Sequence, residues 1–142
     1  MKYYVYLLKN LKRLKKRVKK SNNLLRRKAM STHNCYRQSR DYSTMEQIQQ
    51  LFQLKYTDDL LKSLYHDTVS VLKGMDKQAL LLVNWFDENA DKNKIASFFD
   101  CSVRTLYRRL NVAMNKFVKG MVSLGYDENW FVAERERLGI AN

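Results

Sequence analysis

Proline is absent from this 142-residue chain, and its four glycines (Gly74, Gly120, Gly125, Gly139) all fall in the second half. These two residues punctuate turn-rich β-structure, so their scarcity argues against many short strands and predicts an all-α fold. Two cysteines, Cys35 and Cys101, are too few for a disulfide framework or a four-ligand metal site, and His33 near Cys35 does not complete one. Free thiols in a reducing cytoplasm are the expectation. No run of about 18 apolar residues exists, which excludes a membrane-spanning helix. The apolar stretch from Tyr3 to Leu8 is too short for a secretory signal, and the bulk of the basic residues follow it. A phosphate-cradling glycine loop, a nucleophile elbow and a histidine pair at ligand spacing are all missing. The acid pairs Asp58-Asp59 and Asp87-Glu88 are read as helix-end residues, where capping explains them. No enzymatic activity, cofactor, metal or small-molecule substrate is therefore expected.

Acidic residues are absent from the first 40 positions, which hold 14 Lys/Arg; the remaining 13 basic residues are met by all 14 Asp/Glu from Asp41 onward. So uneven a distribution separates a cationic arm from a near-neutral body. Neutralising phosphates releases counterions, so such an arm favours polyanions. Tyr4, Leu7, Leu11, Leu14, Val18 and Leu25, with Ser21 filling the remaining position, recur in steps of three and four, placing an apolar stripe on one side of a helix. Three roles fit the arm. The stripe packs on the body or on a second copy as a homodimer seam; the helix lies on a membrane with Tyr3, Tyr4 and Tyr6 at the interface; or Lys12, Arg13, Lys15, Lys16, Arg17, Lys19 and Lys20 grip nucleic acid. Periodicity stops over 31–42, which reads as a linker, giving an arm and linker at 1–42.

The body is expected to be a string of helices. Ser43-Thr44-Met45-Glu46 has the form of a capping box, followed by Ile48, Leu51 and Phe52 as an apolar face. Thr57-Asp58-Asp59 is expected to open a new helix with Leu60, Leu61, Leu64, Val71 and Leu72 inward, ending at Gly74. A third helix starts near Asp76 and buries Ala79, Leu80, Leu82, Val83 and Phe86.

The informative stretch runs from Asn89 to Lys119. Asn89, in a left-handed conformation, ends the preceding helix. Asp91 caps a short helix that buries Ile95, Ala96 and Phe99; Asp100-Cys101 makes the turn; Ser102 caps a second helix. Leu106, Leu110, Ala113, Phe117 and Leu124 form its inner edge, and Gly125 ends it. Arg104, Tyr107, Arg108, Asn111 and Asn115 share the opposite face. That is the arrangement of a helix-turn-helix, whose second helix, about 103–119, enters the major groove. Arginine pairs with guanine edges and asparagine with adenine, so Arg104, Tyr107, Arg108 and Asn111 are the candidate base contacts. Ser102, Thr105, Arg109, Asn115, Lys116, Lys119, Lys92 and Lys94 are the candidate phosphate contacts, helped by the amides that begin both helices. Asp127 caps a tail helix, 126–142, whose Trp130, Phe131 and Leu138 pack on the body or anchor a partner.

Ile95-Ala96, Cys101-Ser102, Thr105-Leu106, Arg109-Leu110 and Ala113 resemble the helix-turn-helix of bacterial sigma factor region four, as found in stand-alone phage and plasmid regulators. Asn93-Lys94, Ala96 and the run Arg104 to Leu110 are also similar to the C-terminal helix-turn-helix of the Fis and nitrogen-regulator families. Fis-like domains stop soon after the position of Leu110, whereas this helix runs on through Ala113 and Phe117, as sigma domains do. The resemblance covers about 75–120. It departs at the turn, where Asp100 replaces the usual glycine, and no domain for an upstream promoter element is visible in 1–60. It implies a DNA-binding domain at about 43–125, double-stranded DNA as ligand and RNA polymerase as a neighbour. A Fis-like dimeric DNA-bending protein, or an interaction protein whose arm docks on membrane or an acidic partner, are the alternatives.

Overall fold

The computed structural model describes the backbone of residues 2–38, 42–87 and 89–140 and the side chains of 2–31, 45–87 and 89–140. Among the described residues the regular structure is entirely helical: α1 (Lys2–Lys9), α2 (Leu11–Gln38), α3 (Tyr42–Lys73), α4 (Lys77–Trp85), α5 (Lys92–Phe98), α6 (Val103–Ser123) and α7 (Glu128–Leu138). No helix among them is long and apolar enough to cross a membrane. The expected all-α architecture is what forms.

Two compact units divide the chain, one of Met1–Leu11 with His66–Asn142, the other of Lys12–Tyr65. These limits differ from the expected ones at 42/43 and 125/126. The reason lies in α1. Tyr3, Tyr4, Leu7 and Leu8 are buried, and they belong to the unit that holds α4 to α7. Tyr3 stacks on Phe131 with ring centroids 5.2 Å apart, Tyr4 meets the same ring edge-on at 5.3 Å, and the Tyr4 hydroxyl donates to the Tyr126 carbonyl at 2.8 Å. Tyr3 and Tyr4 are thus core residues, which corrects the reading that placed them at a membrane interface. The helix breaks at Asn10, whose Nδ2 and backbone N–H both donate to the Tyr6 carbonyl. A side chain competing for helical acceptors is a common way for a helix to end.

In the second unit, α2 and the first part of α3 run antiparallel. Lys62 Nζ donates to Asn22 Oδ1 at 3.3 Å, and Lys28 shares an open cleft of about 630 Å³ with Glu46, Gln49, Gln53 and Thr57. The linker expected over 31–42 is helical through Gln38, because polar residues without proline or glycine do not stop a helix. The capping box at 43–46 falls partly outside the described side chains. The helix start expected at Thr57 does not exist, since α3 runs unbroken from Tyr42 to Lys73. Asp58 sits mid-helix, buried, with Lys62 Nζ 2.7 Å from its Oδ2, and Asp59 faces Lys55 at 3.4 Å. Carboxylates four residues from lysines support a helix interior as well as a helix start.

The first unit is organised on α6. Leu106, Ala113, Phe117 and Met121 are fully enclosed, with Leu110 and Met114 nearly so, and α6 packs principally against α4, with α5 touching both. Close approach to α3 occurs at Gly120, where a Cβ would stand 2.8 Å from Val71 Cγ1. Four expected inward residues face out instead: Phe52, Leu80, Val83 and Leu124 are exposed. Leu124 follows the last turn of α6 as its C-cap, so helical spacing no longer applies to it. On α4 the buried pair is Leu81 and Leu82; a run of five apolar residues, 79–83, leaves the phase of a short helix undetermined. In α7, Phe131 and Leu138 are buried and Trp130 meets Tyr126 and Phe131 edge-on at 4.7 and 5.0 Å, so the tail packs on its own body.

Candidate nucleic-acid interface

Three helices, α4, α5 and α6, make the trihelical unit that displays the site. Asp91, in extended conformation, accepts from Asn93 and Lys94 N–H and starts α5; Ser102 accepts from Thr105 N–H at 3.2 Å and starts α6. Between them lies a Schellman turn. Cys101 N–H donates to Ala96 O, Asp100 N–H to Ser97 O, and Asp100 occupies the left-handed region at φ 52°. Aspartate tolerates this conformation better than most residues but less cheaply than glycine. Arg109 Nη1 donates to the Phe99 carbonyl at 3.3 Å and so ties the turn to α6. Asn89 is not the terminator of α4. That helix ends at Trp85, with Phe86 as C-cap at φ −92° and ψ 7°.

On α6 the exposed side carries Arg104, Tyr107, Arg108, Asn111 and Asn115, with Arg109, Lys116 and Lys119 beside them, all solvent-accessible. The helix holds five cationic side chains and not one carboxylate. From Arg104 to Lys119 its outer face is consequently a strip of positive potential about 23 Å long, at 1.5 Å per residue. Lys92 and Lys94 on α5 are exposed as well.

Two groups of expected phosphate donors are already engaged. Ser102 Oγ donates to Thr105 Oγ1 at 3.0 Å while accepting the Thr105 N–H, so both hydroxyls serve the cap. The amides of Asn93, Lys94 and Thr105 go to the Asp91 and Ser102 side chains, which leaves fewer backbone donors for phosphate than the sequence suggested.

Tyr107 has company that spacing alone did not reveal. It is 41% exposed, but its hydroxyl accepts from Lys92 Nζ at 2.6 Å, and its ring meets Trp85 edge-on with centroids 5.1 Å apart. Lys92 Nζ stands 5.3 Å from the Tyr107 centroid and 5.6 Å from that of Trp85. The last residue of α4, the first of α5 and the second turn of α6 therefore meet at one point. No periodicity links residues 85, 92 and 107; only the helix-turn-helix path brings them together.

In the other unit, Lys12, Arg13, Lys15, Lys16, Lys19 and Lys20 are exposed and Arg17 is half-buried, while Leu14 on the opposite side of α2 is buried. The His33–Cys35 pair lies outside the described side chains, and no group of three metal-ligating residues occurs among the described residues. No protein family, curated protein or solved structure matches the chain.

Proposed function

We propose that the chain is a sequence-specific double-stranded-DNA-binding regulator of transcription, with α6 as its recognition helix in the major groove. One observation carries this reading: α6 is divided lengthwise into a fully enclosed apolar edge and an acid-free cationic and amide-bearing face open to solvent. A helix whose only task is packing has no need to gather Arg104, Arg108 and Asn111 at its accessible start, where groove-docked helices present their base-reading side chains. Arg104 and Arg108 are the base readers for guanine, and Asn111 for adenine. Arg109, Lys116 and Lys119 neutralise phosphates along the flanks. The exposed lysines of α2 add affinity that ignores sequence. Continuation of α6 to Ser123, well beyond Leu110, supports the sigma-region-four-like form over a Fis-like one, and hence action beside RNA polymerase.

Selection of bound duplexes from a random pool supplies the test. Wild-type protein is expected to enrich one sequence class. Arg104→Ala combined with Arg108→Ala is expected to erase that preference, at about 1–3 kcal/mol per lost arginine–guanine pair, with an unchanged helical circular-dichroism signal. A selected site bound as tightly by the double variant as by wild type overturns the assignment of α6.

A further inference from the structure

Where α4, α5 and α6 converge, a lysine is held in a way that packing does not require. The Lys92 ammonium contacts the Tyr107 hydroxyl at 2.6 Å, beyond the oxygen edge of that ring, and lies over the Trp85 ring at 5.6 Å. These partners are a hydroxyl and one ring face, that of Trp85, and neither carries a negative charge. A tyrosine hydroxyl has one proton and can accept while it donates. Because its oxygen accepts from Lys92, its proton is turned away from the ammonium and remains a donor. The ammonium likewise keeps two further N–H groups beyond the one given to Tyr107. Donors on adjacent atoms, next to a full positive charge, form a receptor for a single oxyanion. The cation–π contact with Trp85 and the bond to Tyr107 restrict the flexible lysine stem beforehand, which lowers the entropy cost of binding.

We infer that Lys92 and Tyr107 together grip one backbone phosphate of the DNA, and that Tyr107 is a positioning residue, not a reader of bases. This rests on the DNA-binding reading above and refines it. An ammonium is a point charge without the planar fork that matches a base edge, so the pair suits a phosphate oxygen better than a guanine. Its place fits too: Tyr107 lies between Arg104 and Arg108 in sequence on the exposed side of α6, so a phosphate held here sets the depth and register at which both arginines meet the groove. Trp85 backs the pair and takes no ligand itself.

The experiment uses the full chain with two duplexes, the selected site and a random sequence. Tyr107→Phe keeps the ring against Trp85 and removes only the hydroxyl. It is expected to weaken both duplexes by the same factor, about ten- to a hundredfold for one charge-assisted hydrogen bond, with the melting temperature unmoved. Lys92→Gln is expected to make the slope of log K against log salt shallower by about 0.9, the value of one phosphate contact, and Lys92→Arg to retain it. A change of base preference at one position in Tyr107→Phe overturns the inference in favour of base reading. Unchanged affinities in Tyr107→Phe and Lys92→Gln, with a lowered melting temperature, overturn it in favour of a structural buttress; both results leave the DNA-binding reading standing. Failure of wild type to bind either duplex defeats that reading and this inference together.

Discussion

The Tyr126 phenol is buried, donates its hydroxyl to Asp67 Oδ2, and offers its own backbone carbonyl to the Tyr4 hydroxyl at 2.8 Å. One residue thereby joins the start of the chain, the end of α3 and the approach to α7. Burial, and then the bond to Asp67 with its charge, push the phenol above its ordinary value of 10.0. Folded protein thus retains a proton that the unfolded chain releases near pH 10. The bond's stabilisation is complete below that pH and drains away as pH rises toward the higher folded value. Tyr126→Phe is expected to cost about 1.5–3 kcal/mol at neutral pH, the range for a hydrogen bond to a charged group. In urea titrations the gap to wild type should narrow above pH 10, and a gap that stays constant into alkali would show the hydroxyl to be uninvolved. The sequence announces none of this. Tyr126 and Asp67 are 59 residues apart, and no local pattern marks a tyrosine that will find a half-buried acceptor. The exposure of Arg104 and Arg108 was legible, because helical spacing from Leu106 and Leu110 places them on the other side.

Among the elements, caps were the most readable features and continuity the least. Asp91, Ser102 and Asp127 each accept an N–H at the start of a helix, and Gly125 and Gly139 take the positive φ angles that close α6 and α7. These depend on a few neighbouring atoms, so sequence carries them directly. Whether a helix continues through Thr57-Asp58-Asp59 depends instead on lysines at Lys55 and Lys62 and on packing, and α3 continues. Tertiary context also explains Gly120, an α6 residue that weakens its own helix by about 0.5–1 kcal/mol relative to alanine. An added Cβ would stand 2.8 Å from Val71 Cγ1, and a β-branched side chain has little rotamer freedom with which to retreat. Overpacking of this kind costs about 1–3 kcal/mol, so Gly120→Ala is expected to be net destabilising by about 1–2 kcal/mol despite better helix propensity. Val71→Ala loses methyl groups by itself but makes room for the new one. The double variant should therefore be more stable than the two single losses add up to, by at least about 1 kcal/mol in a double-mutant cycle. Strict additivity would mean that the two helices can part at no cost.

For the whole molecule, the decisive property is how charge is shared between the units. The unit Lys12–Tyr65 holds 14 Lys/Arg against four Asp/Glu, whereas the remainder of the chain holds 13 against ten. The charge block itself was plain in the sequence, but its boundary was not, because α1 leaves the arm and joins the body through Tyr3, Tyr4, Leu7 and Leu8. Ten uncompensated charges in one unit oppose its folding through self-repulsion, and its buried apolar residues, Leu14, Leu61 and Leu64 among them, have to offset part of that cost. A polyanion relieves it, and each phosphate neutralised releases about 0.9 counterion equivalents. Replacing Lys15, Lys16, Lys19 and Lys20 by glutamine is accordingly expected to flatten the slope of log K against log salt by up to about 3.5, to weaken selected and random duplexes equally, and to leave the ratio between them untouched. The Arg104 and Arg108 double variant should show the converse, a lost ratio with a slope lowered by much less. Sequence discrimination and bulk affinity would then reside in different units of the same chain. A quadruple variant with wild-type slope on DNA, yet unable to sediment with phosphatidylserine vesicles that wild type does bind, would assign the cationic face of α2 to a membrane surface instead.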